Sequence, residues 1–305
     1  TKNSEKLFEY TEITSRGGVK NCAGSAYYPV EMSGVIRSIL KGDGRFAIIG
    51  VPCFLRAVRK AQQKIPALGL RTPYLIGLAC NLELGKRYVE FIRKKMNLKD
   101  SIQQIKFRKK MPGGSPYYFE VLTSGGERVT VRAHEKGLIS LAFFTPFFSN
   151  KACEFCDDHF AEEADVVLMD AWLPQYSQDW RGTNFLIVRN SEIEKVLKAG
   201  ADQGDLFIKT VTVEDIIKSQ RAPVYRKKTR AAQQKWLLER RDKNAAFIRL
   251  PSQKPSLATE ISIIAEDFWR KLSEAECNKT FLIRIYFLTK KIATLFRNYF
   301  RPFLG

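Results

Sequence analysis

Short apolar runs alternate with amphipathic segments in the first third of the chain. Arg45 to Val51 is an apolar run ending in glycine and valine, which is typical of a buried parallel strand. Pro52 then suits the first turn of a helix that continues through Phe54 to Lys64. A second apolar run, Tyr74 to Ala79, precedes a helix from about Leu84 to Met96. This strand–helix–strand–helix order predicts a parallel sheet with right-handed crossovers.

The rest of the first 220 residues predicts further strands and helices. Two alternating segments flank Ser124-Gly125-Gly126 and predict an antiparallel hairpin. Further helices are predicted over Glu31–Leu40, Gly137–Phe148, Ser191–Gly200 and Thr212–Gln220. Further strands are predicted over Ile102–Arg108, Tyr117–Leu122, Glu127–Arg132, Ala164–Met169 and Asn184–Val188. We therefore predict an α/β fold of mixed α and β elements, with a parallel-sheet core, crossover helices and an antiparallel hairpin insertion.

Beyond residue 220 the pattern is helical and basic. A helix is predicted over Tyr225–Lys243, a break at Ser252–Pro255, and a second helix over Leu257–Ser273 with an apolar stripe of Ile261, Ile264, Phe268 and Leu272. This change from alternating strands and helices to basic helices predicts two units, an oxidoreductase-type core at 1–220 and a basic helical extension at 221–305.

Composition and charge indicate a protein with a sizeable core, a basic surface and cysteines that do not form a disulfide scaffold. The chain has 305 residues of which 45% are hydrophobic, enough for a sizeable core. Its net charge is +19, and residues 221–305 hold 19 Lys and Arg against seven Asp and Glu. A basic surface attracts polyanions, anionic lipid or acidic partners. Six cysteines are too few for a disulfide scaffold, so metal binding, catalysis or burial in a cytoplasmic protein is predicted for them.

Four cysteines stand where they could share one site. Cys53 and Cys80 each follow a predicted parallel strand and precede a helix, at the sheet edge where α/β proteins place ligands. Cys153 and Cys156 form a CxxC pair on a short segment. Four thiolates suit an iron–sulfur cluster, whereas zinc ribbons usually use two CxxC pairs. Spacing alone leaves the cluster, zinc and buried structural cysteines open.

Three other features are candidates for binding. His159 is either an alternative ligand or, as we interpret it, polar surface near the CxxC pair. Asp170 ends a predicted strand beside Trp172, where it could bind a ribose or a cofactor ring, or cap the next segment. The basic run from Lys106 to Lys110 could hold cofactor phosphates or be a solvated strand end. Dinucleotide, Walker A and Ser/His/Asp patterns do not stand out.

Together these segments resemble the coenzyme F420 hydrogenase/dehydrogenase beta-subunit family. Their order and rough spacing agree with that family from about residue 20 to 195. They are Gly24-Ser25-Ala26-Tyr27, Gly50-Val51-Pro52-Cys53, Cys80, Lys106-Phe107-Arg108, Cys153 to Cys156, Met169-Asp170-Ala171-Trp172 and Gly182-Thr183-Asn184. Val51 and Met169 stand where the family usually has threonine and glycine.

The resemblance implies an oxidoreductase that passes electrons between a 4Fe-4S cluster and FAD, and on to or from an organic substrate or a deazaflavin-type coenzyme. Relatives act on deazaflavin coenzyme or chlorophyll-pathway pigments, and others occur near polysaccharide-synthesis functions. The implied cluster ligands are Cys53, Cys80, Cys153 and Cys156. The implied FAD contacts are Ser25, Tyr27, Lys106, Arg108, Asp170 and Thr183.

Many relatives also carry an N-terminal ferredoxin module with two clusters, which these residues lack. A ferredoxin-like partner, or a module upstream of Thr1, would then exchange electrons with the cluster. The basic tail over 281–301 is too interrupted by charge for a comfortable membrane span, but it suits an interfacial helix on anionic lipid at the inner face of the membrane. Alternatively, this tail packs on the core of its own chain or on a second copy of the chain in a homo-oligomer. Binding of nucleic acid by the tail is the least favoured alternative.

A second class of function competes with the redox enzyme. The chain could be a non-catalytic basic adaptor at a membrane or polyanion surface, with its cysteines structural.

Overall fold

The computed structural model describes residues 6–112, 118–132, 139, 142–143, 145–176, 179–242, 250–275, 281–286 and 288–289. His134, Cys277, five of the residues in the helix predicted over Gly137–Phe148 and the tail beyond residue 289 lie outside these ranges.

The described residues alternate between strands and helices. The strands are β1 (Ala47–Gly50), β2 (Tyr74–Leu78), β3 (Ile102–Lys109), β4 (Tyr118–Thr123), β5 (Arg128–Arg132), β6 (Val166–Asp170) and β7 (Asn184–Val188). The α-helices are α1 (Arg16–Asn21), α2 (Ser33–Lys41), α3 (Pro52–Lys64), α4 (Pro66–Arg71), α5 (Lys86–Lys95), α6 (Ser191–Asp202), α7 (Val213–Ser219), α8 (Arg221–Val224), α9 (Ala231–Glu239) and α10 (Leu257–Ala275). Two 3-10 helices span Lys151–Phe155 and Pro174–Tyr176, and a π-helix, Tyr225–Arg230, joins α8 to α9.

The larger sheet has the strand order β1-β2-β6-β7. Strands β1, β2 and β6 are parallel, with Gly50 opposite Gly77 and Leu78 opposite Leu168. Strand β7 runs antiparallel to β6. The predicted α/β class and its parallel core are confirmed, and the antiparallel edge strand is an addition that the apolar runs did not indicate.

A second, antiparallel sheet contains β3, β4 and β5 in that order. The predicted hairpin is confirmed, since β4 and β5 pair on either side of a turn at Ser124 to Gly126. Gly126 has a φ of 86°, a backbone conformation that glycine adopts without a steric penalty.

Two groups of buried side chains form the core. One surrounds the parallel sheet and includes Leu55, Leu75 and Val167. The other lies between α5 and the antiparallel sheet and also contains Leu282, Ile283 and Tyr286, from residues 281–286 near the C-terminus. The beginning of the C-terminal segment is therefore packed into the core.

Helix α10 does not bury the apolar stripe that the sequence predicts. Ile261 is 59% exposed and Phe268 58% exposed, and Ile264 is also exposed. The buried positions are instead Ile263 and Arg270. Periodicity identifies an apolar face but not what covers it. Across the described ranges, no helix combines the length and apolarity that crossing a membrane would require.

Candidate metal and cofactor site

The parallel register brings Cys53 and Cys80 to one edge of the sheet. Gly50 at the end of β1 lies opposite Gly77 near the end of β2. Cys53 follows in the first turn of α3, which begins at Pro52, and Cys80 follows two residues after β2. Both thiols therefore come just after the carboxyl ends of neighbouring parallel strands, as the sequence predicts.

The CxxC pair reaches the same place through a short antiparallel contact. Leu84 and Ser149 form a β-bridge, and the Asn150 N–H donates to the Glu83 carbonyl at 3.0 Å. Next to this bridge, the Glu83 N–H donates to Cys153 Sγ at 3.3 Å. Because Glu83 follows Cys80 by three residues, the bridge brings the CxxC segment beside the chain that leaves β2.

The segment after the CxxC pair also returns to Cys80. The Cys80 N–H donates to the His159 carbonyl at 3.1 Å, and His159 Nδ1 lies 3.1 Å from the Cys80 carbonyl oxygen. The segment after the CxxC pair therefore holds Cys80 directly, whereas the segment before the pair contacts Glu83 and Leu84 further along the chain.

The pKa values of Cys53 and Cys80 respond to the charges of the other cysteines, in line with the strand register and the β-bridge that bring these segments to one region. Burial raises the pKa of Cys80 to about 12, Lys227 opposes this rise, and the charges of Cys153, Cys53 and Cys156 add to it. Partial burial raises the pKa of Cys53, whose side chain is still exposed to solvent, and the charges of Cys156 and Cys153 add to the rise. All four are free thiols.

The donors at this sheet edge are thiols, which both iron–sulfur clusters and zinc take as ligands. Within the described ranges, no three Cys, His, Asp or Glu side chains gather around one point closely enough to hold a metal ion. Zinc needs such convergence, with Zn–S distances of about 2.3 Å. A four-iron cluster instead takes one thiolate on each iron, so its ligands are spread over a larger body. Four sulfur donors on neighbouring segments are ligands of the type that such clusters use.

His159 is buried, so interpreting it as polar surface is wrong. Its Nε2 lies 3.1 Å from Gln220 Oε1, and Gln220 Nε2 donates to the Asp170 carbonyl at 2.7 Å. Burial lowers the pKa of His159, and its contacts with Cys80 and Gln220 oppose that change. The side chain links the chain at Cys80 to the end of β6, which the sequence did not indicate.

A basic and acidic pair lies at the end of β6, on the same sheet edge. Arg108 Nη1 donates to Asp170 Oδ2 at 2.6 Å and lies 3.5 Å from Ser25 Oγ. The guanidinium also stands over the Trp172 indole at 5.3 Å from its centre, a cation–π distance. Thr183 accepts the Ala171 N–H through its carbonyl at 2.9 Å. Ser25, Arg108, Asp170 and Thr183 are thus gathered in one region.

The other two predicted cofactor contacts are placed differently. Lys106 Nζ is 3.5 Å from Glu120 and its side chain is exposed. Tyr27 packs edge-on against Phe107 and Phe143, with ring centres 5.5 and 4.8 Å away. Tyr27 therefore packs among aromatic side chains next to Phe107 of β3, and Lys106 points toward Glu120 on the neighbouring strand β4.

Several residues near the site were not predicted from the sequence. Glu154, inside the CxxC pair, forms a buried ion pair with Arg270 of α10. Lys227 is only 1% exposed although it lies in the basic run 226–228. A run of three basic residues normally indicates a solvated helix face, so the sequence held no signal that one of them is buried.

Comparisons with known proteins concern the family and the fold of the chain. The family model for the C terminus of the coenzyme F420 hydrogenase/dehydrogenase beta subunit matches residues 43–214. A solved structure of the F420-reducing [NiFe] hydrogenase complex from Methanosarcina barkeri is similar, with a TM-score of 0.52 and 15% identity, over 81% of this chain and 78% of that chain. At that identity the likeness concerns the fold alone. No curated protein matches the chain.

Proposed function

The chain belongs to the coenzyme F420 hydrogenase/dehydrogenase beta-subunit family, and from that premise we propose that it is an iron–sulfur flavoprotein. Membership indicates a redox protein with an oxidoreductase role. The finer proposal is that electrons pass between a 4Fe-4S cluster and FAD. It rests chiefly on one observation: the parallel register and the Leu84–Ser149 bridge bring the segments of four free cysteines together at the sheet edge that also carries the Arg108–Asp170 pair.

In this proposal the four cysteines hold the cluster. Each thiol must lose its proton to bind iron, so loading releases protons and is favoured as the pH rises. This matters most at Cys80, because burial raises the pKa of that thiol to about 12. The Glu83 N–H, which already donates to Cys153 Sγ, would stabilise the thiolate charge at that ligand.

The proposed FAD contacts divide into two groups. Arg108 offers a guanidinium for an anionic or carbonyl oxygen, Asp170 offers a carboxylate for a hydroxyl group, and Ser25 and Thr183 lie beside them. Tyr27 supports the strand of Arg108 from behind, and Lys106 is the outermost of the proposed contacts. FAD supplies hydride exchange with an organic substrate and one-electron exchange with a cluster.

The proposed substrate is a deazaflavin-type coenzyme or another organic molecule, and a link of the reaction to polysaccharide biosynthesis is part of the proposal. A ferredoxin-like protein is proposed as the electron partner. The similar solved structure is of a multi-subunit hydrogenase complex, which supports a partner redox protein for this chain as well.

The test is cofactor analysis of the full chain purified without oxygen and reconstituted with iron, sulfide and FAD. We expect about four iron atoms and one FAD per chain. Substitution of Cys53, Cys80, Cys153 or Cys156 by serine should in each case lower the iron content, whereas Cys22→Ser, at an exposed thiol that is not a proposed ligand, should not. A folded, colourless wild type after reconstitution would contradict the proposal and favour the adaptor with structural cysteines.

We also propose that the basic extension over 221–305 touches an anionic membrane as a peripheral contact. The exposed apolar positions Leu257, Ile261, Ile264 and Phe268 are four, three and four residues apart on α10, so they form one face. The tail adds basic and aromatic residues that suit the lipid interface.

A liposome flotation assay tests this contact. Because Leu282 and Ile283 are buried in the core, the truncation should remove only residues 290–305. We expect reduced flotation with anionic vesicles for the truncation and for the double variant Ile261→Ser, Phe268→Ser. Val196→Ser, at an exposed apolar position on α6, is the control. Equal flotation of all four proteins would contradict the proposal.

A further inference from the structure

Lys227 is a buried lysine in the π-helix Tyr225–Arg230. Its neighbour Lys228 is exposed and pairs with Glu162 at 2.7 Å, whereas Lys227 is 1% exposed. A π-helix shifts the positions of side chains relative to an α-helix, and such turns are frequent at functional sites. The local backbone therefore separates two adjacent lysines, with one in solvent and the other inside the protein.

The buried lysine lies beside the cysteine site. The π-helix packs against the 3-10 helix Lys151–Phe155, which carries Cys153. The positive charge of Lys227 acts on the thiols of Cys80 and Cys153 and on His159, and it opposes protonation of each of the three. One ammonium thus faces ligands from two different segments of the chain.

Among the described residues, no carboxylate forms an ion pair with Lys227. The nearby acids have other partners, since Glu162 pairs with Lys228 and Glu154 pairs with Arg270. Burying an ammonium without a counter-charge is costly, so such a group normally finds an anion within reach. The groups near Lys227 are the thiols of Cys80 and Cys153, which become thiolates when they bind iron, and a cubane held by four thiolates carries a net negative charge.

We propose that Lys227 is a positioning residue for the cluster, whose fixed positive charge lies against the ligands Cys80 and Cys153 and raises the reduction potential. A nearby cation favours the state with one more electron, because that state is more negative. The inference rests on the proposed cluster. Lys227 lies outside residues 43–214, so the family match does not assign it a role.

The other charges around the cysteines set the size of the effect. Glu83 acts on Cys53 and Cys153 with the opposite sign, and Arg56 lies near Cys156 while paired with Asp157 at 3.0 Å. Glu83 is partly open to solvent and Arg56 already has a carboxylate. Lys227 is therefore the charge whose removal should change the potential most, since it is the most buried of the three.

The test is a potentiometric titration of the reconstituted full chain, followed by the electron paramagnetic resonance signal of the reduced cluster. Lys227→Met removes the charge and keeps most of the side-chain volume, Lys227→Arg keeps the charge, and Lys228→Met is the exposed control. We expect Lys227→Met to lower the reduced-to-oxidised ratio at a fixed potential about tenfold, a shift of about 59 mV for a one-electron couple. The other two variants should remain near wild type.

Equal potentials for Lys227→Met and Lys228→Met would overturn the inference. If Lys227→Met does not fold, Lys227→Gln is compared with Lys227→Arg in the same titration. Loss of iron from both neutral variants would also overturn it, since Lys227 would then act in assembly and not in tuning. Iron and sulfide analysis separates the two proposals: a wild type without cluster defeats the proposed function, whereas an intact cluster with an unchanged potential defeats only the role of Lys227.

Discussion

At the scale of single residues, one β-bulge decides which basic side chain reaches the site. Lys106 pairs with Glu120 and Lys109 with Tyr118, so β3 has one residue more than β4 between these two pairs. The extra residue turns Lys106 and Lys109 both toward Glu120 and leaves Arg108 facing Asp170. In a regular strand Lys106 and Arg108 would share a face.

This divergence predicts unequal effects of two similar substitutions. Arg108→Met removes a guanidinium from the proposed FAD site, and loss of a charged hydrogen bond costs about 1.5–3 kcal/mol, or roughly 10- to 100-fold in affinity. Lys106→Met should change FAD affinity by less than about threefold. Calorimetric titration of FAD into the flavin-free protein measures both. A larger loss for Lys106→Met than for Arg108→Met would contradict this placement.

The sequence indicated the four cysteines and Asp170 because each stands at a strand end or in a recognisable motif. It did not indicate the bulge, because Lys106, Phe107 and Arg108 read as an ordinary alternating strand. Lys227 was hidden for a related reason, since its burial depends on a π-helix that three consecutive basic residues do not reveal.

At the scale of elements, the centre of the sheet depends on close packing at Gly77. A Cβ atom at this position would lie 2.6 Å from the Ala161 Cβ, 2.9 Å from the Ala164 Cβ and 3.0 Å from Val167 Cγ2. The segment 161–164 therefore lies almost against the backbone of β2. His159 precedes this segment and bonds to Cys80. The packing of residues 161–164 on Gly77 therefore also helps to hold Cys80 in place.

Gly77→Ala should therefore destabilise the protein. Overpacking in a closely packed core costs about 1–3 kcal/mol, because the two alanines are too short to move aside by rotation. Urea unfolding of the protein without cofactors measures the change in the free energy of unfolding. The matched control is Gly34→Ala in α2, where the new Cβ meets nothing within 4 Å. Equal stabilities of the two variants would contradict the close packing at β2.

The elements were largely predictable because buried strands and amphipathic helices leave strong patterns. The strand predicted over Asn184–Val188 has the same bounds in the structure, and the helix after Pro52 ends at Lys64 as predicted. The direction of β7 and the exposed face of α10 were not predictable. Strand direction depends on the connection and not on apolarity, and a helix stripe does not identify what it faces.

At the scale of the whole molecule, residues between 220 and 270 contact the segments that surround the four cysteines. Gln220 contacts His159, Lys228 pairs with Glu162, and Arg270 pairs with Glu154 inside the CxxC pair. The ion pairs of Lys228 and Arg270 cross the boundary that the sequence placed after residue 220. The division into two units stays a prediction, but the surroundings of the cysteines include both parts of the chain.

The same contacts join the two proposed cofactor sites. His159 contacts Cys80 on one side and Gln220 on the other, and Gln220 donates to the carbonyl of Asp170. A hydrogen-bonded connection therefore runs from a proposed cluster ligand to a proposed FAD contact. Such a short connection suits electron exchange between two cofactors held on one sheet edge.

Stepwise anaerobic reduction of the reconstituted chain tests most directly whether one chain carries both cofactors. Reductant is added in measured portions while visible absorption reports FAD and electron paramagnetic resonance reports the cluster. We predict uptake of about three electron equivalents per chain, about two with bleaching of the flavin and about one with the signal of a reduced 4Fe-4S cluster. Uptake of no electrons, or of about two with no cluster signal, would contradict a cluster held by Cys53, Cys80, Cys153 and Cys156.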